Sequence, residues 1–250
     1  MDLGDHIVQR EVNSSIILFD TLAVLIWLTA LIQNKRWIAL SFSAIGFALY
    51  YFIDAVVWMT WMKNRSIESA LNPYLVQVWL QLGPGVIHPS FVCLMLEGTF
   101  GPYRQRIRRE FWCVLFVGVQ FVPALMQQSI QFGGIIQISR DMNSQRWIFV
   151  LLTVIGYLYL ISQHISASSL WKLFLICVTV ESCFELSLFV SGIRKAAFQT
   201  MIMDAIVEFN VGAGLIVILW RRFYSMEERK CMAFGPEAFR EKSKALDTLV

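Results

Sequence analysis

The sequence predicts an all-α integral membrane protein, a bundle of seven transmembrane helices in a single polytopic chain. Three observations lead there. Of the 250 residues, 57% are hydrophobic and 16% charged, whereas soluble domains carry about 25% charged residues. Mean hydropathy is +0.58. Seven apolar runs, each close to the roughly 20 residues that span a bilayer, follow one another with short polar connections. This composition excludes a soluble enzyme, a disordered chain and a nucleic-acid module. The net charge of +3 is small and dispersed, too weak a field to recruit a nucleic acid.

The runs can be justified in order. Residues 14–33 follow a short polar segment, show no small-residue cleavage pattern and end at Lys35-Arg36, which predicts a retained signal-anchor; Asp20 lies inside. Residues 37–62 carry Tyr50, Asp54, Trp58 and Trp61 at helical spacing, a carboxyl set in an aromatic stripe. Residues 74–98 place Gln77, Gln81 and His88 along one face, interrupted by Gly83-Pro84-Gly85 and Pro89. Broken backbone at membrane depth survives only where it is buried in protein or lines a cavity, so a pocket is expected here. Residues 111–131 add Gln120, Gln127 and Gln128 around Pro123, and 147–164 add Tyr159 and Gln163. Residues 169–193 carry Glu181 and Glu185, and 200–223 carry Asp204 and Glu208. Because open strand edges cannot face hydrocarbon, helix is expected throughout. The domain division is 1–224 for the membrane bundle and 225–250 for a cytosolic tail bearing Phe234 and Phe239.

Lysines and arginines set the orientation. The N-terminal segment and the second, fourth and sixth loops hold seven, among them Arg10, Arg65, Arg140, Arg194 and Lys195, against fourteen on the other side, including Arg104 and Arg106. This predicts a lumenal N-terminus and a cytosolic C-terminus, in the endoplasmic reticulum membrane. Sequons at Asn13 and Asn64 fall on the expected lumenal side. Five scattered cysteines and three scattered histidines, His6, His88 and His164, give neither a disulfide framework nor a metal cluster.

Acids inside spans carry the functional signal, since each costs a few kcal/mol in the bilayer and tends to face the bundle interior. Asp20, Asp54, Glu181, Glu185, Asp204 and Glu208 lie well inside the runs, where no lysine or arginine accompanies them to neutralise them. Counted from the helix ends, they gather at one level, from the lumenal half to the middle. Glu181 with Glu185, and Asp204 with Glu208, are four residues apart and share a helix face, a spacing that allows carboxyls to share protons. An acid beside aromatic rings suits the handling of a carbocation: the acid protonates an olefin or epoxide and the π-faces stabilise the charge.

Seven short-looped spans, Asp54 in the second (Tyr50-Tyr51-Phe52-Ile53-Asp54) and Asp204 or Glu208 in the last resemble the fungal transmembrane terpene cyclases of meroterpenoid and indole-diterpene pathways. In that family an acid of the second helix and one of the last are implicated in protonating a prenyl epoxide or olefin. The Asn and Trp that usually precede the second-helix Glu are absent, and the acid here is Asp, as in a divergent member. His88 with Glu97 is similar to the His and Glu motif of emopamil-binding-protein-type sterol isomerases, although the two stand nine residues apart. The resemblance implies a cofactor-independent terpene cyclase acting on a lipophilic prenylated substrate. Asp54, Asp204, Glu208, Glu181 and Glu185 would be catalytic, with Asp54 the leading donor, and Tyr50, Trp58, Gln77, Gln81, His88 and Asp20 would line the substrate. A proton-coupled transporter, with the acids as a relay, and a sterol-isomerase-like enzyme are the alternatives.

Overall fold

The computed structural model describes residues 7–100, 108–194 and 202–233, with the side chains of 100, 143–146 and 226–233 outside the description. Of the residues singled out above, His6, Arg104, Arg106, Lys195, Phe234 and Phe239 lie outside the described residues. The fold is mostly helical. Helix α1 is Ile16–Gln33. Helix α2, Trp37–Tyr51, runs on as a π-helix, Phe52–Trp61. Helix α3, Pro73–Leu80, passes through a π segment, Leu82–Ile87, into α4, His88–Phe100. Then come α5, Arg109–Ser129, α6, Asn143–Ser162, and α7, Ala167–Val190. A π segment, Asp204–Glu208, and a 3-10 turn, Phe209–Gly212, precede α8, Ala213–Ala233.

Among the described residues, five helices are long and apolar enough to cross a membrane: Ile16–Gln33, Trp37–Trp61, Pro73–Thr99, Arg109–Ser129 and Ala167–Val190. Each matches an expected run to within a few residues. The fifth expected run contains a shorter apolar helix, Trp147–Ser162. The core is apolar, as in a soluble protein, but so is much of the exterior. Large apolar side chains such as Leu25, Ile26, Leu75, Val114, Leu151 and Trp171 are exposed, while Gln77, Gln81, His88, Glu185, Arg194 and Asp204 are buried. A water-facing surface would not leave so much apolar area uncovered; an acyl-chain surface does.

The expectation of helix alone needs correction. Three strands, β1 Ile7–Asn13, β2 Arg65–Glu68 and β3 Ile135–Asp141, form an antiparallel sheet in the order β1-β3-β2. The hydrocarbon constraint does not reach them, because they belong to the N-terminal segment and to the second and fourth loops, outside the apolar runs. Register places Val8 opposite Arg140, Arg10 opposite Ile138, and Arg65 opposite Arg140. With a side-chain period of two, Val8, Arg10, Val12, Arg65, Ile67, Ile136, Ile138 and Arg140 turn to the bundle, and Gln9, Glu11, Glu68 and Gln137 turn away, exposed. A bridge from Arg10 to Arg194 ties in the sixth loop as well. The N-terminal segment and the even-numbered loops thus share one end, as the run count requires.

The backbone over Gly83-Pro84-Gly85 is widened, not broken. Gly85 lies where a Cβ would be 3.0 Å from Phe47 Cα, and a Cβ on Gly46 would be 2.6 Å from Pro89 Cγ, so two glycines let α2 cross the kinked helix at close range. Two compact units divide at Gly214. The features below belong to the first. In the second, Trp220 packs against Tyr224 with ring centroids 4.8 Å apart.

Candidate functional site

Each inward arginine of the sheet meets an acid. Arg65 Nη1 donates to Asp54 Oδ2 at 2.6 Å, and Gln81 Nε2 donates to the same oxygen at 2.7 Å. Arg140 Nη1 donates to Glu208 Oε1 at 2.7 Å. Arg10 Nη2 reaches Glu185 Oε1 at 3.3 Å. From the loop after α7, Arg194 donates to Glu185 and, at 2.6 Å, to Asp204 Oδ2. The expectation that no arginine would neutralise the acids is therefore corrected. The arginines are absent from the spans but are delivered from one end by the sheet and the sixth loop. Of the two acid pairs, Glu185, Asp204 and Glu208 take guanidinium partners.

Burial works against the charge of Arg10, Arg65 and Arg194 and lowers their pKa values from the ordinary guanidinium value, opposed by the carboxylates beside them. Arg140 is the exception: burial lowers it, but Glu208, Asp54 and Asp204 together outweigh burial and raise its pKa. Ion pairs this deep repay their desolvation only with complete partners, so loss of either member is costly.

Arg10, Arg65, Arg140, Asp54, Asp204 and Glu208 line a cavity of about 50 Å³, whereas Glu185 and Arg194 stand outside its lining. Val8, Arg10, Arg65, Ile138 and Arg140 of the sheet form one wall, and Tyr50, Asp54, Leu80, Pro84, Glu181, Phe184, Asp204 and Glu208 form the rest. Three of its four acids sit on irregular helix, Asp54 in the first π segment and Asp204 and Glu208 in the last, with Pro84 in the middle one, while Glu181 belongs to α7. Such i→i+5 turns are uncommon and recur at functional sites.

Glu181 differs from its neighbours. Among the described residues it has no guanidinium partner, and its nearest polar contact is His88 Nδ1 at 3.8 Å from Oε2. His88 is fully buried, with neither ring nitrogen hydrogen-bonded. Its ring lies edge to face with Phe184, Phe209 and Phe116 at 5.2, 5.7 and 5.8 Å.

The remaining expected residues fall apart from this cavity. Trp58 packs edge-on against Phe149 at 5.7 Å, in a cluster with Val8 and Met142. Trp61 is 68% exposed beside Phe52, because the π-helix carries it off the face expected for an α-helix. Gln77 is wholly buried with both amide atoms unpartnered. Glu97 pairs with Arg36, not with His88. Asp20 accepts a 2.8 Å hydrogen bond from Trp79 Nε1 and lines a second cavity. Both amide atoms of Asn64, in the second sequon, are buried.

Sequence reasoning missed Arg10, Arg65, Arg140 and Arg194. A period of two is only partial in Val8-Gln9-Arg10-Glu11-Val12 and Ile136-Gln137-Ile138-Ser139-Arg140, because the arginines themselves interrupt the apolar face, in segments taken for loops. Compared with protein-family models, curated proteins and solved structures, the chain matches none.

Proposed function

We propose that the protein is a seven-helix membrane enzyme of the endoplasmic reticulum that protonates an epoxide or olefin of a prenylated substrate and steers the cation to a cyclic product without a cofactor. One observation carries this reading: in a chamber where the other acids are engaged by arginines, Glu181 stands unpaired, facing the cavity beside an uncharged aromatic cluster. Asp54 accepts two donors on one oxygen, which suits an anchor of the chamber, and the role of proton donor passes to Glu181.

The reaction balances without an added reagent. Glu181 O–H protonates the epoxide oxygen, the C–O bond opens, and an olefin π-pair closes the ring. Tyr50 and Phe184 offer π-faces to the cation. The carbon beside the resulting cation gives up a proton to the Glu181 carboxylate, which forms a new double bond and restores the acid, with His88 3.8 Å from Glu181. Incubating membranes that contain the protein with prenyl and epoxyprenyl aromatics should give a product of unchanged mass with one carbocycle more. No isomeric product from any member of the panel would overturn the proposal.

His88 beside Glu181 also favours a second reading, a sterol-isomerase-like double-bond shift by the same acid and base. The carbocycle count separates the two, because a shift adds no ring and a cyclisation adds one.

A further inference from the structure

The second cavity, of about 60 Å³, lies between α1, α3, α5 and α7 and shares Arg10, Leu80, Pro84, Ile138 and Phe184 with the acid chamber. Phe184 is the hub of that common wall: Arg10 lies over one side of its ring at 5.4 Å, and the His88 ring meets it at 5.2 Å. Away from this wall the cavity is apolar except for a few groups, chiefly Asp20 and Gln120. Gln120 is 6% exposed, and its Nε2 makes no hydrogen bond. Asp20 Oδ2 is held by Trp79, and its other oxygen has no partner among the described residues.

We infer that this cavity binds the hydroxyl end of a lipophilic alcohol, the hydroxyl donating to Asp20 and accepting from Gln120. The chemistry selects this class. An unsatisfied buried amide N–H and a carboxylate oxygen are both completed by a group that donates and accepts at once. An ammonium has no acceptor for Gln120, an ether has no proton for Asp20, and a carboxylate would meet Asp20 as a like charge. At roughly 10–15 Å³ per water-sized guest, the volume admits a headgroup of a few heavy atoms. The inference rests on the proposed function only for the prenyl chain of the probe, and the shared wall at Phe184 sets such a ligand next to Glu181.

The test is competition binding to the purified full chain in detergent, with radiolabelled farnesol displaced by farnesol, farnesyl methyl ether or farnesylamine. Farnesol should compete about tenfold or more better than the ether and the amine, since a site built around a hydroxyl rejects analogues that leave its polar groups unpaired. Gln120→Leu should bring alcohol and ether to within about threefold of each other, a narrowing expected from the loss of one hydrogen bond. Equal competition by all three in the unmutated protein, or stronger competition by the amine, would overturn the inference, and neither result depends on any variant folding. Binding is read apart from turnover. An alcohol preference in a protein that proves to have no cyclase activity would leave this site standing and remove the proposed function; turnover without any preference would do the reverse.

Discussion

Arg65 holds Asp54 across 2.6 Å from outside the helix that carries it: the guanidinium comes from a strand, the carboxylate from a π-helical segment of the second span. Arg140 and Glu208 repeat the arrangement between β3 and the π segment of residues 204–208. The sheet is therefore an electrostatic part of the site. Both Arg65 and Asp54 are largely buried, with side chains 7% and 14% exposed. Arg65→Met should cost about 3 kcal/mol by leaving an uncompensated charge. The double variant Arg65→Met with Asp54→Asn should recover a substantial part of that loss, measured as thermal unfolding in detergent. Additive losses would show that the pair is not coupled.

Shared placement of the N-terminal segment and the even-numbered loops predicts a labelling pattern. Gln9→Cys, Glu68→Cys and Gln137→Cys, all on the outer face of the sheet, should react with an impermeant maleimide from one side of sealed vesicles, expected to be the lumenal side. Lys35→Cys, in the first loop, should react only from the other. Labelling of Gln9→Cys and Gln137→Cys from opposite sides would break the sheet and the topology together.

Close helix crossing makes two glycines unequal to a third. Gly46→Val should destabilise by about 1–3 kcal/mol, the cost of overpacking, because its Cβ meets Pro89 and the Gly85 carbonyl oxygen. Gly83→Ala should be tolerated, since nothing lies within 4 Å of a Cβ there. Unfolding temperatures of the two variants check the contrast.

Asn64 should carry no glycan in a eukaryotic host, because its amide is buried beneath β2. Asn64→Gln should leave electrophoretic mobility unchanged before and after endoglycosidase treatment. A mobility shift would place this loop in the open.

Hydropathy made the helices legible, because exposure to acyl chains requires long apolar runs whatever the tertiary contacts; Ile16–Gln33 and Ala167–Val190 lie close to where composition puts them. The acids were legible for the same reason, as costly exceptions inside those runs. Their partners were not. Arg10, Arg65 and Arg140 sit in strands of four to seven residues whose pairing joins positions as distant as Ile7 and Asp141, and a loop arginine shows no sign in sequence of the carboxylate it will meet. The π segments at 52–61 and 204–208 were hidden as well, because nothing in their composition marks a wider turn; that is why the stripe from Tyr50 to Trp61 splits, with Tyr50 on the chamber and Trp61 outside.

The central claim is that arginines engage the chamber's other acids and leave Glu181 as the proton donor. It is tested most directly by the specific activity of Glu181→Gln, normalised to folded protein recovered by size exclusion, on whichever prenylated substrate the membranes convert to an isomer. The amide keeps the shape of the side chain and removes only the acid. Turnover should fall by about 100-fold or more, as expected for loss of a general acid, while the protein still folds and Gln77→Leu, away from the cavity, keeps most of its activity. Full specific activity in Glu181→Gln would contradict the account.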